Sequence, residues 1–121
     1  MKIRIYYEDT DAGGVVYHTN YIKFCERARS ELFFSKNLSP QKSDNEFFVV
    51  KKIECDFIKP AVLGDMIEVK TSLVKRKNTS LLLQQDIYRN DVLLFKASIL
   101  AVYVKDLKPS RIPDDMYEVL A

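Results

Sequence analysis

The sequence predicts an α+β domain, one helix laid against one antiparallel sheet. Three observations carry this. Apolar residues recur at every second position through four stretches between Phe47 and Lys105. Only one stretch, from about Asn20 to Ser35, repeats them three and four apart. Short clusters of turn-forming residues separate the alternating stretches, as in a meander of hairpins.

In chain order, Ile3, Ile5 and Tyr7 alternate with Lys2, Arg4 and Tyr6, which predicts a half-buried strand. An acid- and glycine-rich loop follows. Tyr21, Phe24, Cys25, Ala28 and Leu32 then share one helical face, while Lys23, Glu26, Arg27 and Ser30 lie largely elsewhere. Thr19 or Asn20 is expected to cap the helix start, because either side chain accepts from a free backbone N–H. The small Ala28 lets the helix approach the sheet closely. The segment "NLSPQKSDNE", with Pro40, is expected to be loose.

Val49, Lys51, Ile53, Cys55 and Phe57 are expected on one face of a long strand ended by Lys59-Pro60. Ile67, Val69, Thr71 and Leu73 form the inner side of the next, and "RKNTS" turns it. Leu81, Leu83, Gln85 and Ile87 follow, then a turn at "RND". Phe95, Ala97, Ile99, Ala101 and Tyr103 make the last long strand. Its other face, with Leu94, Leu100, Val102 and Val104, is apolar too. A strand apolar on both sides needs cover on both sides. One helix covers one, so a second chain is expected over the other. A short helix is expected after Pro113.

With 121 residues the chain is expected to form one domain over 1–121. Net charge is +2, far from the strongly basic balance of a nucleic-acid binder. The two cysteines, Cys25 and Cys55, stand alone, with no CxxC pair and no Cys/His cluster, so no metal site is expected. The start "MKIRIYYEDTD" has no apolar leader, and no run approaches the ~18 apolar residues of a membrane span. These readings point to a cytoplasmic domain.

The chemistry concentrates in "EDTDAGGVVYH", Glu8 to His18. Two of the three glycines and the only histidine stand here beside three acids. A calcium loop is a poor match: Gly13 stands where an oxygen ligand belongs, and Asn20 replaces the closing Glu. No phosphate loop or serine elbow is present. Cys25 as a nucleophile beside His18 is conceivable, but a Cys on an apolar helix face is more often core. Asp and Gly also favour turns for backbone reasons alone. Against a plain turn stands what the set can do. Helix-start N–H groups hold an oxyanion, Gly lets backbone approach a ligand, and His exchanges protons near neutral pH. The residues alone support a site for hydrolysis or acyl transfer.

The run from Tyr6 to Phe33, "YYEDTDAGGVVYHTNYIKFCERARSELF", resembles the start of hotdog-fold acyl-CoA thioesterases of the 4-hydroxybenzoyl-CoA thioesterase type. It is most similar to the YbgC-like branch associated with the Tol–Pal system. The likeness continues through "FFVVKKIECDFIKPAVLGDMIEV", "RKNTSLLLQQDIYRND" and "LAVYVKDLKPSRIP". It implies a curved antiparallel sheet wrapped round the long helix, in a dimer or dimer of dimers. It implies hydrolysis of acyl-CoA to free acid and CoA, with no cofactor. Acyl carrier protein in place of CoA, and a peripheral place at the inner membrane, stay open.

Carried over by motif, Asp11 is the catalytic carboxylate, either nucleophile or general base. Backbone N–H groups near Tyr17 and His18 hold the carbonyl oxygen. Tyr7 and the His18 ring belong to the pocket, and His18 assists the leaving group. Asp9 is read as a loop carboxylate, and Glu26 and Arg29 as structural. Lys75, Arg76 and Lys77, with Thr79 and Ser80, are the CoA-binding candidates, Lys51, Lys52 and Lys59 weaker ones. Thr79 and Ser80 match positions that approach the partner chain's site. The resemblance leaves two other readings: a non-catalytic hotdog protein that binds acyl groups or an envelope-biogenesis partner, and a hotdog dehydratase, which the D-T-D-A-G-G run disfavours.

Overall fold

Alternation at every second residue dictates strands. A computed structural model, which describes residues 1–120, assembles them into one antiparallel sheet. The strands are β1 (Lys2–Arg4), β2 (Gln41–Ser43), β3 (Glu46–Phe57), β4 (Met66–Arg76), β5 (Ser80–Arg89), β6 (Val92–Lys105) and β7 (Lys108–Pro109). Their order is β1-β4-β5-β6-β3-β2, with β7 paired to the end of β6. Helix α1 spans His18–Phe34 and α2 spans Asp114–Leu120. The α+β expectation holds, with the curled sheet and long helix of the hotdog fold.

The core lies between α1 and the inner sheet face. Tyr21, Phe24, Cys25 and Ala28 pack against Ile67, Val69, Ile87, Phe95, Ala97 and Ile99. A second cluster joins Phe33, Leu81, Leu83 and Tyr103 to Ile112, Met116, Tyr117 and Leu120 from the C-terminal segment. Gln85 interrupts this apolar set yet is fully buried. Its amide is satisfied: Arg29 Nη1 donates to Oε1 at 2.8 Å, and Nε2 donates to the Cys25 carbonyl and to Thr71 Oγ1, both at 2.9 Å. That makes a polar residue tolerable at an inner position.

Several expectations change. Strand β1 ends at Arg4, and Tyr7 opens a 3-10 turn through Asp9 rather than continuing the alternation. Helix α1 begins at His18, so Thr19 and Asn20 lie inside it. No side chain caps it, and Asn20 Nδ2 instead donates back to the Asp9 carbonyl at 2.9 Å. Phe33 is buried where Leu32 was expected, and Leu32 is only partly so. The loose segment contains β2, paired to β3.

The largest correction is in β3. Val50 pairs with Ala101 and Lys52 with Leu100, so Lys51 is an extra residue. Such a bulge reverses which side chains face inward. Phe48 and Val50 therefore face the helix before it, and Ile53 and Cys55 after it. Val49 pairs with Val102 on the outer face. Val74 in β4 and Leu94 in β6 are likewise extra residues, between the pairs Leu73–Leu83 and Lys75–Leu82, and between Ile87–Phe95 and Tyr88–Leu93.

A partly buried ion pair ties the far ends of β4 and β5. Arg89 Nη1 lies 2.8 Å from Asp65 Oδ2, which also accepts the Val62 N–H at 2.9 Å. Burial works against the charged carboxyl, but the Val62 N–H and the guanidinium outweigh it and hold its pKa below the ordinary 3.8. The stability this gives is complete above about pH 3.8 and is lost as pH falls through the lower folded value. Asp65→Asn should lower stability at neutral pH and flatten its fall below about pH 4. Urea midpoints measured from pH 2 to 7 check this, and an acid limb of unchanged steepness refutes it.

Candidate active site

The acid-glycine loop is built by its own backbone. Thr10 and Val16 pair across it, Asp11 N–H donates to the Val15 carbonyl at 2.8 Å, and Gly14 N–H donates to the Asp11 carbonyl at 3.1 Å. Gly14 sits at φ +82, in the left-handed region. A Cβ there meets no atom within 4 Å, so an added methyl strains only the backbone. Gly14→Ala should cost about 1–2 kcal/mol by chemical denaturation; a loss near zero would show that the loop relaxes freely.

Gly13 is present for close approach. Its N–H donates to Asp11 Oδ1 at 2.8 Å, and a Cβ on it would lie 3.2 Å from that oxygen. This bond fixes one carboxylate oxygen of Asp11. Among the described residues the other, Oδ2, accepts no hydrogen bond. Asp9 is used differently. Its Oδ2 accepts the Tyr6 N–H at 2.9 Å, and its carbonyl accepts the Tyr17 N–H at 2.9 Å and Asn20 Nδ2. Its carboxylate thus caps one loop N–H, as expected, while its backbone carbonyl holds the loop to the start of α1.

That lacing decides which helix-start donor is free. The Tyr17 N–H is engaged with Asp9. The His18 N–H belongs to the first helical residue, where an α-helix has no internal acceptor. Donor and positive dipole end therefore coincide at His18. The His18 ring stands edge-on to Phe57, centroids 6.2 Å apart.

Asp11 and His18 line one surface cleft of about 280 Å³ with Val16, Tyr21, Phe57 and Lys59. The loop after β3 makes its opposite wall. Val16 N–H donates to the Ala61 carbonyl at 2.9 Å, and Ala61 N–H donates to the Tyr21 hydroxyl at 3.0 Å. Burial raises the Tyr21 phenol pKa against the opposing pull of that N–H. The cleft thus combines a fixed carboxylate, an imidazole, a helix-start N–H and one cation.

The other candidates disperse. Tyr7 is 80% exposed and outside the cleft. Cys25 is fully buried, and burial pushes its thiol up to about 12, against the pull of Arg29; it offers no thiolate to His18. Lys75, Lys77, Thr79 and Ser80 line a depression of about 530 Å³ on the outer sheet face, beside Lys51 and Lys52. Arg76 points the other way, 4.3 Å over the Tyr117 ring. Alternation along the strand parts Arg76 from Lys75 and Lys77, and the Val74 bulge decides that the two lysines take the outer face and Arg76 the inner. Tyr21 and Phe57 escaped notice as cleft residues because their apolar spacing reads as core. Lys59-Pro60 was the one local signal that a wall-forming loop begins there.

A family model for the thioesterase superfamily matches residues 13–96. The chain belongs to the thioesterase superfamily. This superfamily member is 48% identical over 88 residues to the acyl-CoA thioesterase YbgC of Helicobacter pylori, taking in 73% of this chain. The match spans 65% of that relative's length, just under two thirds. It is 43% identical over 109 residues to the acyl-CoA thioester hydrolase YbgC of Escherichia coli, covering 88% of this chain and 81% of the other. A probable thioesterase from Bartonella henselae superposes with a TM-score of 0.87 at 29% identity, over 93% of this chain and 97% of that one. The superfamily match begins two residues after Asp11 and includes His18 and the Lys75–Ser80 turn.

Proposed function

We propose that this chain hydrolyses acyl-CoA thioesters to a free acid and coenzyme A, with Asp11 as the acting carboxylate. The observation that carries the reading is the meeting of Asp11, His18 and the first helical N–H in one cleft. The names of the Helicobacter and Escherichia relatives support the substrate class.

The thioester carbonyl oxygen lies toward the His18 N–H, where the helix dipole stabilises the charge it develops. Asp11 Oδ2, free of protein partners, either attacks the carbonyl carbon or takes a proton from an attacking water. The carbon–sulfur bond breaks, with the His18 ring supplying or orienting a proton for the departing thiolate; where Asp11 is the attacking group, a water then hydrolyses the mixed anhydride and releases the acid. The same reading places Lys75 and Lys77, with Thr79 and Ser80, on the CoA phosphates of a site completed by a second copy. Leu82, Leu100 and Val102, half-buried on the outer face, support that second copy. A cytoplasmic dimer or tetramer linked to the Tol–Pal system is the corresponding cellular reading.

Thiol release measured across acetyl- to palmitoyl-CoA tests the proposal. Turnover that depends on chain length is expected. Binding without release at every length overturns it in favour of a non-catalytic acyl-binding protein. Neutralising Lys75 and Lys77 to Gln should raise KM about two- to fivefold per lysine, the scale of an exposed ion pair, with kcat unchanged. Arg76→Gln should leave KM unchanged, since its guanidinium faces Tyr117. A larger KM effect from Arg76 would reverse the assignment.

A further inference from the structure

The turn from β4 to β5, residues 77–79, stands on a weakly paired edge of the sheet. Strand β1 pairs with β4 only at Met66, Ile67 and Glu68, so residues 70–76 are paired to β5 alone. Lys77 and Asn78 at the tip are exposed. The Lys77 N–H donates to the Ser80 carbonyl at 2.9 Å, but among the described residues no backbone N–H reaches the Lys77 carbonyl. A turn with so few backbone bonds opens easily when left to itself.

The C-terminal segment supplies the missing donors. The Tyr117 hydroxyl on α2 donates to the Lys77 carbonyl at 2.5 Å, with the Asn78 carbonyl second at 3.2 Å. The Asn78 carbonyl also accepts the Ile112 N–H, and the Thr79 carbonyl accepts the Tyr103 N–H, both at 2.8 Å. These donors are fixed in place. Tyr103, Ile112 and Tyr117 are all buried, in one cluster with Phe33, Leu81 and Met116. The backbone of the turn is therefore gripped from the inner side, while Lys77, Thr79 and Ser80 line the outer depression. A lysine on a loose turn loses much freedom when it meets a phosphate. A lysine on a held backbone has lost part of it already, so binding costs less.

We propose that Tyr117 is a positioning residue for coenzyme A, its hydroxyl setting the turn so that Lys77 meets a CoA phosphate. This rests on the reading that places Lys77 on those phosphates. The C-terminal helix thereby favours CoA over a thiol carrier that lacks phosphate.

Tyr117→Phe removes the hydroxyl and keeps the ring, its Arg76 contact and the packing of α2. The carbonyls it releases belong to exposed residues that water reaches, so the fold survives. S-decyl-CoA, an uncleavable thioether, and S-decyl-pantetheine, which has no phosphate, are titrated calorimetrically into the full chain, Tyr117→Phe, Lys77→Gln and the double variant. Tyr117→Phe should weaken S-decyl-CoA about two- to fivefold, the scale of losing Lys77 itself, and leave S-decyl-pantetheine unchanged. In the Lys77→Gln background it should weaken S-decyl-CoA by less than it does alone. The Lys77 N–H should exchange with solvent about two- to tenfold faster in Tyr117→Phe, the effect of one neutral hydrogen bond, while β3 amides keep their rates. If neither single variant weakens S-decyl-CoA, the phosphate reading of the turn fails and takes the proposal with it. If Lys77→Gln weakens it and Tyr117→Phe does not, that reading stands and the proposal alone is overturned. Equal weakening of both ligands, full additivity with Lys77→Gln, or unchanged Lys77 exchange also overturns it, because the hydroxyl then only supports the fold.

Discussion

Asp11→Asn is expected to leave a folded protein that hydrolyses acyl-CoA at least about 100-fold more slowly, the low end of the loss on removing a general base. The amide keeps the size of the side chain and an oxygen that can still accept the Gly13 N–H, so the loop geometry has no reason to change. What disappears is the negative charge on Oδ2, needed either to attack a carbonyl or to accept a proton from water. KM should move little, because the charge acts in the transition state rather than in binding. Asp9→Asn is the matching control. Its carboxylate accepts the Tyr6 N–H and its carbonyl tethers the helix start. That variant should lose stability and retain most of its turnover. Thiol-release kinetics with denaturation midpoints separate the two. Near wild-type turnover by Asp11→Asn would remove the carboxylate from the mechanism and leave the loop a turn.

Phe95→Ala should cost about 3–5 kcal/mol, the range for deleting a buried aromatic ring. The ring is fully buried on β6. It stacks on Tyr21, with centroids 5.3 Å apart and planes 12° from parallel, and tilts against Phe57 at 5.2 Å. Both neighbours line the cleft, so the cavity left behind lies directly beneath the site. A domain commonly has only 5–15 kcal/mol of stability in total. A shift of the urea midpoint at constant slope measures the loss. Turnover of the fraction that remains folded should fall as well, since Tyr21 and Phe57 lose the support that orients them. A cost below about 1 kcal/mol would mean that the neighbours collapse into the space.

Tyr21, Phe24, Cys25 and Ala28 were readable as one helix face because their spacing repeats within the segment itself. The inner positions of β4 and β5 were readable for the same reason: Ile67, Val69, Leu81, Leu83 and Ile87 are all buried. The motif from Glu8 to His18 was readable as a candidate site, since acids, two of the three glycines and the single histidine stand together there. Gln85 is the instructive middle case. Its place in the alternation marked it as inward, but nothing nearby in the chain named Arg29, Cys25 and Thr71 as the groups that make it tolerable there.

The sequence by itself determined the α+β class, the identity of most strands and the residues able to do chemistry, because periodicity and residue type are local properties. Tertiary structure alone decided where those residues meet. Lys51, Val74 and Leu94 are bulges only by reference to the strands beside them, and a one-residue offset exchanges the two faces of everything that follows. That is why Val49 and Ile53 lie on opposite faces and why Lys75 and Lys77, rather than Arg76, face outward. The cleft likewise closes only when Val16 and Tyr21 bond to Ala61, residues at least forty positions away. Register and closure are set by hydrogen bonds between distant segments, and no pattern within either segment encodes the partner's offset.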